Sequence, residues 1–323
     1  MPVSLPTPHD LRQAAQRIGD KVALTPVWQS PDLDEACGHA LALKCENLQR
    51  TGSFKARGAL NWLRTASDGE LRGGLVTVSA GNHAIALAWA AATTGTPLTV
   101  VMPEGSSAMK IRRTRDLGAE VLVHGRIQQA VDLCHQLVAE RGLTLVHPYN
   151  DLRVMAGQGT VGLELLDQCP SMGRVLCPVG GGGLISGLGL AIKAVRPDVE
   201  LIGVEPAGAA TMANAWRCND PTASLANVDT WAASLAPAVV GEHTFAASRQ
   251  VVDRMVTVTE GAIRDATRLL LTRARLYVEP GAAVGLAALL EGAVPPSPDG
   301  RDVLVITGGN LDLDQVSHCE GRE

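Results

Sequence analysis

The stretch "TGSFKARGA" (51–59) sets a single amine, Lys55, between the aromatic Phe54 and a short Arg57–Gly58 turn, behind small polar residues. An amine taken out of water loses pKa and becomes a nucleophile toward carbonyl carbon. Three other stretches supply groups that such an amine could serve. "CPVGGGGLISGLGLAIKAV" (177–195) places Gly180, Gly181, Gly182 and Gly183 between a strand pattern and a helix pattern. Glycine lets backbone N–H groups converge on a ligand, and a helix N-terminus adds partial positive charge, so this is a phosphate cradle. "SAGNHAIALAWAAA" (79–92) runs from a strand through Ser79, Ala80, Gly81, Asn82 and His83 into a second helix, which suits a carboxylate, with the Asn82 amide beside it. "VITGGN" (305–310) ends the last strand at Thr307, where a hydroxyl could hydrogen-bond a ring nitrogen beyond the strand's carboxyl end.

A nucleotide does not fit the glycine run. Counted from Gly180, the third glycine of the dinucleotide fingerprint falls on Ile185; counted from Gly181, it falls on Ser186. No Gly-Lys-Ser/Thr follows, so the Walker pattern fails too. An amine, a phosphate cradle, a carboxylate cradle and a neutral hydroxyl match pyridoxal 5'-phosphate (PLP), which carries a phosphate, an aldehyde and a pyridine nitrogen. The expected link is a Schiff base on Lys55.

The elements that must position these groups alternate. Nine short runs rich in β-branched residues read as strands: 40–46, 74–80, 98–103, 120–125, 143–148, 174–179, 200–206, 254–260 and 302–309. Helical patterns lie between many of them. "AIALAWAAATTG" should stop at Gly95, and "EGAIRDATRLLLTRARLY" spaces Ile263, Ala266, Leu270 and Ala274 along one helical face. The pattern predicts an α/β protein with two doubly wound, mostly parallel open sheets, helices on both faces, and an active site between a large and a small domain. The large domain is expected to comprise 1–73 plus 149–323, and the small one 74–148, with hinges near Gly73–Gly74 and Pro148–Asp151. "GAVPPSPDG" (292–300) reads as a surface loop.

Bulk properties narrow the partners. With 323 residues and 46% hydrophobic content the chain can bury two cores. A net charge of −5 argues against a nucleic-acid surface. No apolar run is long enough to span a bilayer, and "MPVSLPTPHDLRQ" lacks the plan of a signal peptide. Seven cysteines, spread singly with no C-x-x-C, fit a reducing cytoplasm better than a disulfide framework or zinc cluster.

Taken in order, "RTGSFKARGALN", "SAGNHA", "AGQGTVGLE" (156–164), "PVGGGGLISG", "GVEP", "VEPGAAVG" and "TGGN" resemble the serine/threonine dehydratase and serine racemase family, PLP enzymes of fold type II related to the tryptophan synthase β chain. The resemblance spans about residues 10 to 315. It implies that Lys55 carries the cofactor, Phe54 packs beside the ring, Asn82 contacts its phenolic oxygen, Gly180 to Gly183 hold the phosphate and Thr307 faces the pyridine nitrogen. Ser79 to His83 would take the substrate carboxylate. Members usually carry Ser or Cys where Thr307 stands; a hydroxyl does not hold the ring nitrogen protonated as an anion would, which favours prompt β-elimination. The implied reaction is dehydration and deamination of a 3-hydroxy amino acid such as L-threonine or L-serine to a 2-oxo acid and ammonia. Racemases of the family place a serine where this chain has Ala80. Many members also bind a divalent cation just after the "GVEP" strand; Glu205 and the Ala209 carbonyl match that site, but Thr211 stands in place of the second carboxylate, so the resemblance leaves a metal here open. A homodimer or larger assembly is expected, and feedback through a C-terminal regulatory domain is not. The rival readings are dehydration of a bulkier 3-hydroxy amino acid (3-phenylserine or 3-hydroxyaspartate), racemisation, β-replacement, and non-catalytic amino-acid binding.

Overall fold

The computed structural model describes residues 3–297 and 301–319. The strands are β1 (Val27–Trp28), β2 (Leu41–Cys45), β3 (Leu75–Val78), β4 (Leu98–Met102), β5 (Glu120–Val123), β6 (Thr144–Leu145), β7 (Met172–Pro178), β8 (Glu200–Pro206), β9 (Arg254–Val258) and β10 (Arg301–Ile306). They form two sheets, of order β1-β2-β10-β7-β8-β9 and β5-β4-β3-β6. All nine strands expected from the sequence are present. The unexpected β1 is two residues long and is the sole antiparallel strand described, pairing Val27 with Lys44. Such a short run leaves no alternation to read.

Burial on both faces explains why the strands of the six-stranded sheet read as nearly continuous apolar runs. Leu43, Leu176, Ile202, Leu304 and Ile306 enter one core, with the helices Glu260–Thr272 and Pro280–Leu290. Their strand neighbours Ala42, Val175, Leu201, Val303 and Val305 enter the core on the opposite face. The helix Asn82–Thr94 ends as expected, with Gly95 in the left-handed conformation (φ 69°). The helix Glu260–Thr272 stops short of Tyr277, although Ile263, Ala266, Leu270 and Ala274 are all buried as its spacing requires. Residues 292–297 of the expected loop carry no helix or strand; 298–300 lie outside the described residues.

Parallel strands bring their carboxyl ends to one edge. Pro178 therefore leads into the glycine run, Ile306 into Thr307 and Val78 into Ser79. Lys55 opens the helix Lys55–Thr65, which joins the two sheets. Just ahead of it, the Phe54 N–H donates to the Thr307 carbonyl (3.1 Å) and Ser53 bridges to Gly308. Farther along, Ala59, Leu60, Trp62 and Leu63 pack into the core of the four-stranded sheet with Leu75, Leu87 and Val100. That core thus recruits residues from outside 74–148, Ile18 and Val154 among them.

Candidate active site

Lys55 is enclosed but unpaired. Its ammonium donates to the Pro148 carbonyl (2.8 Å) and lies 5.2 Å from the centroid of the Phe54 ring. Burial lowers its pKa to about 8, and the charge of Glu279 offsets only part of that. Phe54 itself packs against the core of the six-stranded sheet. Two histidines feel the same dry, cationic setting. Burial, then the charge of Lys55, pushes His147 down to about 4 and His83 well below the usual imidazole value. His83 is therefore a neutral ring, which removes it as a cationic anchor for a carboxylate.

The turn at 79–83 leads from β3 into the helix Asn82–Thr94. Ser79 Oγ accepts the N–H groups of Gly81 (3.2 Å) and Ala84 (3.3 Å), so it caps the first turn of the helix Asn82–Thr94, whose N-cap residue Gly81 brings no side chain of its own. Asn82 is fixed at both ends of its amide. It donates to Glu279 Oε1 (2.5 Å) and accepts from Asn310 Nδ2 (2.8 Å), leaving one N–H to offer a ligand. Glu279 is the residue that the sequence reading missed. It stands just before Pro280, at the start of the helix Pro280–Leu290, and burial raises its pKa against the pull of Lys110, Asn82, Ser234 and Lys55. A buried acid ahead of a proline at a helix start is the signal within "VEPGAAVG" that could have found it. Gly308 packs closely here: a Cβ on it would stand 2.6 Å from Glu279 Oε1 and displace that carboxylate.

The glycine run leaves a helix N-terminus bare. Gly182 caps the helix Gly183–Lys193 in the left-handed conformation (φ 87°), without any side-chain cap. A Cβ on Gly181 would fall 2.3 Å from the ring of Tyr149. Tyr149 directly follows the carbonyl that holds Lys55, and its hydroxyl donates to the Val239 carbonyl (2.8 Å). A helix end without a side-chain cap suits a phosphate, and an enclosed neutralisable amine suits an aldehyde, so these residues fit PLP. The structure brings Lys55, Phe54, Thr307, Gly308, Asn82 and Glu279 together directly, and ties in the glycine run through Pro148–Tyr149. Ala80 is exposed at the rim of the turn.

The residues expected to hold a divalent cation do not fit one. The two carboxylate oxygens of Glu205 accept the N–H groups of Met212 (2.7 Å) and Ala213 (2.9 Å), so Glu205 caps the helix Thr211–Cys218. Thr211 gives its hydroxyl proton to the Pro237 carbonyl (2.7 Å). A hard cation needs several free oxygens, with anionic ones among them. Among the described residues no group of three His, Cys, Asp or Glu could hold a metal.

Comparison with known proteins decides the family. The pattern described as "Pyridoxal-phosphate dependent enzyme" matches residues 18–308. The chain belongs to the pyridoxal-phosphate dependent enzyme family. Within it, the chain is 42% identical over 308 residues to the L-threonine ammonia-lyase of Geobacter sulfurreducens, covering 95% of this chain and 76% of that one. It is 36% identical to the catabolic L-threonine dehydratase of Escherichia coli K12, covering 99% and 97%. The solved structure of maize serine racemase superposes with a TM-score of 0.92 at 34% identity, covering 98% and 97%. This family member thus has the fold type II architecture expected, two largely parallel sheets clothed by helices, and PLP as its cofactor.

Proposed function

We propose that this PLP enzyme is an ammonia-lyase that eliminates water from a 3-hydroxy amino acid, with L-threonine and L-serine as first candidates, and releases an enamine that tautomerises to an imine and takes water back on hydrolysis, so that the net products are a 2-oxo acid and ammonia. The carrying observation is Lys55, a half-buried amine that has no salt bridge to a carboxylate among the described residues, donates to the Pro148 carbonyl and has a pKa of about 8. Such a group holds PLP and takes up a proton near neutral pH. PLP, when bound, supplies an aldehyde for the substrate amine and a ring that draws electrons from the α-carbon. The chain supplies the rest. Gly180 to Gly183 hold the phosphate on the bare helix end, Phe54 flanks the ring, Asn82 offers its remaining N–H to the phenolic oxygen, and Thr307 offers a hydroxyl to the ring nitrogen. Ser79, Ala80, Gly81, Asn82 and His83 orient the substrate carboxylate through the second helix end. Lys55 Nζ takes the proton from the α-carbon. The names of the Geobacter and Escherichia relatives support threonine.

Racemisation needs an acid on the opposite face of the substrate. Ala80 carries no proton, so elimination is favoured even though the maize racemase shares the fold. To the same proposal belong a large domain of 1–73 plus 149–323, a small one of 74–148, a homodimer or larger assembly and a cytoplasmic location, with the buried thiols of Cys45, Cys134 and Cys177 fitting a reducing compartment. No described helix is long and apolar enough to cross a membrane. Purified protein loaded with PLP is assayed for 2-oxo acid release from threonine, serine, 3-hydroxyaspartate and 3-phenylserine. Release from threonine or serine supports the proposal; no release from any of the four refutes it.

A further inference from the structure

The helix Ala108–Asp116 belongs to the four-stranded sheet, yet one of its faces reaches the other. Its cap Ser107 donates to Asp312 (2.9 Å), Arg113 donates to Asn310 Oδ1, and Lys110 sits 3.8 Å from Glu279 Oε2. Steps of three residues put these groups on one face. The first two are hydrogen-bonded contacts. The third is not, because 3.8 Å is beyond hydrogen-bond length. Lys110 has another neighbour. At Gly81 a missing side chain leaves the ammonium 3.5 Å from where a Cβ would stand. It therefore overhangs the turn at 79–83, whose helix end already attracts an anion.

We propose that Lys110 is a substrate-binding residue: its ammonium leaves Glu279 and closes on the carboxylate of the amino acid seated at Ser79–His83. This rests on the reading of that turn as the carboxylate cradle. Glu279 is a weak rival for the ammonium. Its Oε1 already accepts the Asn82 amide at 2.5 Å, and its Oε2 stands 3.8 Å from Lys110 without a hydrogen bond to it. A substrate carboxylate arrives ionised. The hand-over would draw the four-stranded sheet toward the substrate only when a carboxylate is present, so an amine lacking one gains nothing from it. Glu279, whose Oε1 keeps the Asn82 contact, stays anchored as Lys110 departs.

The test compares two amines that differ in the carboxylate alone. Glycine and glycinamide are titrated into the PLP-loaded enzyme, and binding is read from the visible absorbance of the cofactor. In Lys110→Gln, glycine should bind about 10- to 100-fold more weakly, the range for a hydrogen bond to a charged group, while glycinamide binding stays unchanged. Lys110→Arg should restore most of the difference between the two ligands. Equal weakening of both, or no change in either, overturns the proposal. Should Lys110→Gln fail to take up PLP, Lys110→Met is read in the same way. Glycine has no β-hydroxyl, so the titration reports on Lys110 whether or not 3-hydroxy amino acids release a 2-oxo acid. Failure of that release sinks the elimination reading alone.

Discussion

Lys55 and Arg57 are cations two residues apart on one helix, the first half-buried and the second fully buried, and they have opposite fates. Arg57 donates through Nε and Nη2 to the two oxygens of Glu46 (2.8 Å each) and through Nη1 to Glu164 (2.6 Å) and Thr160 (3.1 Å). Lys44 completes the set on Glu164 (2.5 Å). Burial would push Arg57 toward neutrality, but Glu46 and Glu164 more than reverse it, and Glu46 in turn is held below the usual carboxylate range. Lys55, one side chain along on the other face, meets a carbonyl and a distant Glu279 and falls to about 8. The comparison teaches that burial by itself makes neither structure nor chemistry. A buried charge with matched partners is a fixed anchor, and one without them is a reagent. The anchor also aims the reagent, because Arg57 pins the first turn of the helix that Lys55 begins.

The comparison can be broken at either end. Lys55→Ala should cut 2-oxo acid formation by about 10³-fold or more, since it removes both the cofactor link and the proton carrier. Turnover near that of the wild type would end the assignment. Arg57→Met should destabilise the fold by about 3–5 kcal/mol in denaturant titrations, because Glu46 is left buried and unpaired. A loss below about 1 kcal/mol would mean that the network is not an anchor.

Two smaller effects sharpen the contrast. Lys55→Met should melt at a higher temperature than the wild type at pH 7, both proteins being freed of PLP. The folded pKa of Lys55 is near 8 against an unfolded 10.5, so between those values the unfolded chain binds the extra proton and wild-type stability rises with pH. The gap between the two proteins should therefore close as pH climbs from about 8 to 10.5, as followed by thermal melts. A pH-independent gap would show that Lys55 is not charged against its will. The smallest effect concerns Glu279, whose charge props up the Lys55 ammonium. In Glu279→Gln the rate at which the cofactor-free protein takes up PLP should reach its alkaline plateau at a lower pH than in the wild type. A shift in the opposite direction would remove Glu279 from the site's electrostatics.

Much of this was legible before any tertiary structure. Each strand run marked by β-branched residues is a strand; the interior ones, such as β2, β4, β7 and β8, leave an unbroken apolar signature because they are buried on both faces. Gly95 stops its helix because a left-handed residue is needed there. The glycine run, the turn at 79–83 and Thr307 stand at strand ends, which parallel topology sends to one edge. Other features left no local trace. The helix Glu260–Thr272 ends where its pattern would continue, at a tight exit in which Arg275 takes φ 58°. Tyr149 matters because its ring lies over Gly181, a contact across 32 residues that no spacing rule encodes.

The sequence by itself determined which groups exist: one amine in an aromatic setting, two strand-to-helix turns rich in small residues and a hydroxyl, each specified by neighbours within a few residues. Tertiary structure alone decided their states. Whether a cation is paired depends on carboxylates as distant as Glu164 and Glu279, and desolvation depends on which helices close over it. Charge and burial act through space, so Lys55 and Arg57 become different chemistry only once the chain has folded around them.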